Sequence, residues 1–105
     1  MTPDTFRLLA LSLPGVTAAS VLGNDEFRVL SRMFATLGSP HVTDAMIKLT
    51  PADQARFIAL APAAFSPAPG GPGGRGATRV RLPMAAAEHV REALQAACRK
   101  ARGKM

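Results

Sequence analysis

Arg79 and Arg81 stand two apart in the run Thr78-Arg79-Val80-Arg81-Leu82. In an extended strand, that alternation sends Thr78, Val80 and Leu82 one way and both guanidinium groups the other, about 7 Å apart. A guanidinium is a planar fork that donates bidentately to phosphate, so such a pair suits the backbone of a nucleic acid. Lys48 in Ala45-Met46-Ile47-Lys48-Leu49 and Arg28 in Phe27-Arg28-Val29 extend the patch if their strands present them on the same sheet face. Arg75 in the Gly-rich run Gly70-Gly71-Pro72-Gly73-Gly74-Arg75-Gly76 is a further candidate phosphate contact, as are Arg99, Lys100 and Arg102 in the tail that ends in Gly103-Lys104. The same residues also suit a solvated strand face, a flexible connector and a helix end whose cations complement the dipole.

The charge is lopsided. Residues 1–65 carry five basic and five acidic side chains, whereas residues 66–105 carry eight basic ones against Glu88 and Glu92, which accounts for the whole net charge of +6. Such a field costs self-repulsion, and a polyanionic partner is the usual compensation. Arginine makes up 10 of the 13 basic residues, a bias that favours phosphate and that a GC-rich genome would also produce.

Other chemistries find no support. The Gly-rich run lacks the Gly-Lys-Ser/Thr ending of a phosphate-binding loop and leads into a strand, not a helix. Cys98 falls four residues after Leu94 on an apolar stripe, and neither His41 nor His89 is spaced to activate it. Two histidines, one cysteine and scattered acids fit no metal-ligand spacing. Asp4 and Asp53 belong to helix starts, and Asp25-Glu26 reads as a solvated turn. The expectation is a non-enzymatic protein without metal or cofactor.

A single cysteine precludes an intrachain disulfide, and no apolar run of about 18 residues or N-terminal leader pattern occurs. A cytoplasmic protein with no membrane partner is expected. At 105 residues, one domain spanning 1–105 is expected.

The elements that must position these cations follow from caps and periodicity. Thr2-Pro3-Asp4 opens a helix with Phe6, Leu9, Ala10 and Leu13 on its core face, ended at Leu13-Pro14-Gly15. Val16 to Leu49 reads as strands and turns, with Gly23-Asn24-Asp25 as one turn. Leu30-Ser31 joins Phe27-Arg28-Val29 to Met33-Phe34-Ala35-Thr36-Leu37, an atypical tight turn without Gly or Asn. Gly38-Ser39-Pro40 breaks that run. Thr50-Pro51-Ala52-Asp53 repeats the opening device for a helix from Pro51 to Ala61. Ser66 to Ala77 is too rich in Gly and Pro for regular structure. Pro83 opens a final helix from Met84 to about Ala101, with Ala86, Val90, Ala93, Leu94, Ala97 and Ala101 buried. The predicted fold is α+β, a mainly antiparallel sheet with the N- and C-terminal helices packed on one face.

Several of these runs, in this order, resemble the MmcQ/YjbR-like family of small bacterial proteins: Phe6-Arg7 with Leu13-Pro14-Gly15-Val16, Phe27-Arg28-Val29 with Met33-Phe34-Ala35-Thr36-Leu37, Lys48-Leu49-Thr50-Pro51, Phe65-Ser66-Pro67-Ala68-Pro69-Gly70, and Gly76-Ala77-Thr78-Arg79-Val80-Arg81-Leu82. The resemblance implies an α+β domain similar to double-wing DNA-binding and secretion-chaperone-like folds, and a DNA-binding role that rests on that likeness. The family usually has Gly near Ser31, often Trp in the Gly-Pro loop, and often an aromatic where Cys98 stands.

Residues and resemblance together lead to one expectation: binding of double-stranded DNA through Arg79, Arg81, Lys48, Arg28, Arg75, Arg99, Lys100 and Arg102, with low sequence preference and steep salt dependence. The alternative is a protein-interaction module using Met33, Phe34 and Met46 as a partly exposed apolar patch. RNA or single-stranded DNA is disfavoured by the lack of Trp and Tyr.

Overall fold

Thr2 starts the first helix by accepting the backbone N–H of Thr5 on its hydroxyl at 3.1 Å, and Pro3 and Asp4 occupy the first turn of α1, Pro3–Leu11. The computed structural model describes residues 1–38 and 41–103. Ser39-Pro40, read as a strand breaker, and Lys104 of the basic tail lie outside the described residues. Four strands follow: β1 Thr17–Val21, β2 Asn24–Val29, β3 Arg32–Leu37 and β4 Asp44–Lys48. Thr50 then caps α2, Pro51–Leu60, accepting from the Asp53 N–H at 3.1 Å. A short strand β5, Phe65–Pro67, a helical turn α3, Gly71–Gly74, and β6, Ala77–Arg81, lead to α4, Ala87–Arg102.

The strands form one antiparallel sheet in the order β1-β2-β3-β4-β6-β5. This is the predicted α+β fold. Helix α4 lies against β2, β3 and β4, with α1 and α2 beside it. Phe6, Phe27, Phe57 and Phe65 are fully buried with Ile47, Val80, Leu82 and Val90. Each such side chain contributes roughly 1.5–3 kcal/mol on leaving water.

Four expectations need correction. The first hairpin turns at Leu22-Gly23, since Val21 pairs with Asn24, and Asp25-Glu26 lies within β2 instead of in a solvated turn. Phe34 is not exposed: Phe27 faces Ala35 while Arg28 faces Met33, leaving Phe34 as an extra residue in β3. The bulge places Phe34 and Ala35 together in the core, each 1% exposed. The final helix starts at Ala87 because Pro83 sits in a 3₁₀ turn, Leu82–Met84, after which Ala85 and Ala86 are extended.

The fourth correction concerns the Gly-rich connector, which carries β5 and α3. Gln54 Nε2 donates to both Gly73 O and Ala77 O at 2.9 Å, and the Leu49 N–H donates to Gly76 O at 3.1 Å. A Cβ on Gly73 would stand 2.1 Å from Ala68 O, and one on Gly76 1.9 Å from Leu49 O. These glycines serve close backbone approach, and their freedom is used up by packing.

Candidate functional site

Directly paired residues in antiparallel strands share a face. Thr36 pairs with Met46, Met46 with Arg79, Lys48 with Ala77, and Asp44 with Arg81. On the other side, Glu26 pairs with Thr36 and Arg28 with Met33. Arg28, Lys48, Arg79 and Arg81 therefore lie on one sheet face, opposite the one carrying Ile47, Thr78 and Val80.

Sharing a face does not leave them equally available. Arg79 is held by Asp44, with Nη2 at 2.7 Å and Nε at 2.9 Å from Oδ2, and Asp44 is 3% exposed. Arg28 is held by Glu26 at 2.7 Å. Elsewhere Arg7 spans Asp25 and Asp4, each at 2.6 Å, and those two carboxylates hold its pKa above the ordinary guanidinium value. Of the candidate cations, Lys48, Arg75, Arg81, Arg99, Lys100 and Arg102 have no carboxylate within ion-pair distance among the described residues.

Three of those six converge. Lys48 from β4, Arg75 from the turn after α3 and Lys100 from the end of α4 line one concavity of about 510 Å³. Its floor is Met33, Thr36 and Met46 from the sheet, with Pro72 of α3 at one side. No acid contributes to it. Lys100 is steadied by donating from Nζ to Leu49 O at 3.2 Å, which leaves two of its three donors for another partner. The Thr36 hydroxyl, sealed from solvent, is the one buried side-chain polar atom among the described residues without a hydrogen-bond partner.

Arg99 and Arg102 lie apart from Lys100. They border a different hollow with Leu13 and Pro14, where Arg102 Nη2 donates to Pro14 O. Arg81 shares the sheet face but is not among the residues lining the concavity. Sequence reasoning missed Asp44 as the partner of Arg79, although its parity with Met46 and Lys48 already placed an acid on the cationic face. It missed Thr36 and Pro72 altogether, and only an assembled sheet reveals them. No candidate metal site of three or more His, Cys, Asp or Glu occurs among the described residues. None of the described helices is long and apolar enough to cross a membrane.

No family model matches the chain, and no curated protein matches it significantly. A solved structure does. The crystal structure of the Deinococcus radiodurans protein DR2400, a DUF419 family-model domain, superposes with a TM-score of 0.75. It is 21% identical, with 98% of this chain and 80% of that chain covered. At that identity the likeness establishes the fold.

Proposed function

We propose that this chain is an MmcQ/YjbR-like protein that binds double-stranded DNA through its phosphates, acting as a binding protein in the cytoplasm and not as an enzyme. The observation that carries the reading is the convergence of Lys48, Arg75 and Lys100 from three distant segments on an acid-free concavity. Separated cations drawn together without counter-charges cost repulsion that a phosphate partner relieves. Arg81 on the same face extends the footprint along a backbone. The likeness to a DUF419 domain, a family related to YjbR and MmcQ, agrees with the family part of this reading. The protein-interaction alternative retains only Met33 and Met46 of its patch, since Phe34 is buried.

The test is a salt titration of binding to a mixed-sequence duplex, read by fluorescence anisotropy. Four phosphate contacts, from Lys48, Arg75, Lys100 and Arg81, predict a slope of log K against log salt of about −3.6, from about −0.9 per contact. Lys48→Gln and Arg75→Gln should each flatten it by about one, with no change in sequence preference. Salt-independent binding, or variants with the parental slope, would remove the reading.

A further inference from the structure

We infer that the concavity seats one whole nucleotide, its phosphate against Lys48, Arg75 and Lys100 and its base over Met33, Met46 and Pro72. The inference rests on the reading that this face receives phosphate, and it adds a ligand class that backbone tracking does not require. A duplex phosphate can meet cations at the rim of a hollow without entering it. Here the cations rim a hollow of about 510 Å³, inside the range of roughly 300–1,000 Å³ typical of small-ligand sites. Its floor is largely apolar, with Met33 and Met46 beside Thr36. Thioether sulfur is polarizable and adaptable and makes favourable contacts with aromatic rings. All five phenylalanines are buried, so methionine is what this face offers to a flat ring.

The rim suits a terminal phosphate. Arg75 presents a planar fork, while Lys48 and the spare donors of Lys100 act as point charges. Thr36 adds a second observation. The residue lines the floor while its hydroxyl is sealed from solvent and unpartnered, and a rotation about its Cα–Cβ bond would offer that hydroxyl to a polar edge of the ligand. One nucleotide can come from two sources, as a free nucleoside 5′-monophosphate or as the 5′-phosphorylated end of a strand.

Calorimetry with AMP, adenosine and orthophosphate tests the site directly. AMP should bind at least tenfold tighter than either fragment, and Arg75→Gln should cut AMP affinity about tenfold while leaving the melting temperature unchanged. Met46→Ser should weaken AMP and leave orthophosphate unaffected, a split that general loss of structure would not give. A 5′-phosphorylated oligonucleotide that outcompetes its 5′-hydroxyl twin assigns the strand end as the source, and equal competition assigns the free nucleotide. AMP binding no tighter than orthophosphate overturns the inference. Covalently closed circular duplex, which has no ends, reports on backbone binding separately: retained there and lost for AMP, the nucleotide seat fails alone, and the converse result sinks the duplex reading alone.

Discussion

Threonine carries a hydroxyl where valine carries a methyl, and the Thr36 hydroxyl has no hydrogen-bond partner among the described residues. A buried donor left unpaired costs about 1–3 kcal/mol, while an isosteric methyl removes that cost without leaving a hole. Thr36→Val should therefore stabilise the protein by ~1 kcal/mol, raising the midpoint of thermal unfolding by roughly 4–8 °C for a chain this size. A drop in the midpoint would mean that the hydroxyl already has a partner, and its place as a spare polar group on the floor would go with it. Gly73 and Gly76 show the opposite relation of residue to space. At each, an added methyl would overlap a backbone oxygen, so the side chain is absent because another strand of backbone occupies its volume. The run looks flexible in sequence because close approach and flexibility demand the same residue.

The hairpin between β2 and β3 carries a conflict between local and long-range preference. Leu30 and Ser31 both have positive φ, 52° and 65°, as a two-residue type I′ turn requires. A side chain in that region is disfavoured by roughly 1–2 kcal/mol per residue. The turn persists because β2 and β3 are fixed by Phe27, Val29 and Phe34 in the core. Ser31→Gly should relieve about 1–2 kcal/mol of that strain against roughly 0.5–1 kcal/mol of extra glycine entropy, a net gain of about 0.5–1 kcal/mol. Equilibrium denaturation checks this, and a gain below experimental error would show that the strain is relieved elsewhere. The sequence made the other elements legible where the signal is local. Thr-Pro with an aspartate in the first turn marked both helix starts, and alternation in β6 assigned Arg79 and Arg81 to one face, while the register that sets Lys48 beside them came only from the assembled sheet. Features set by partners far along the chain were hidden. The bulge at Phe34 depends on β2, the order of the Gly-rich segment depends on Gln54, and β5 is three residues that only β6 makes a strand.

Across the whole molecule, charge in space differs from charge along the chain. Asp44 of the neutral first part neutralises Arg79 of the basic last part, while Lys48 of the first part joins Arg75 and Lys100 without a counter-charge. The two kinds of cation should respond differently to the same substitution. Arg79→Gln strands a carboxylate that is 3% exposed, and breaking a buried pair costs about 3–5 kcal/mol when both ends are inaccessible. The Arg79 side chain retains 28% exposure, so a loss nearer ~2–3 kcal/mol is expected, enough to lower the unfolding midpoint clearly. Lys48→Gln removes a charge from a repelling cluster and should leave stability level or slightly higher. Measured side by side by thermal unfolding and duplex binding, Arg79→Gln should fail first in stability and Lys48→Gln in binding alone. Equal losses of stability in both variants would mean that Lys48 is structural. The acid-free cluster would then be part of what holds the sheet together, and no binding function could be drawn from it.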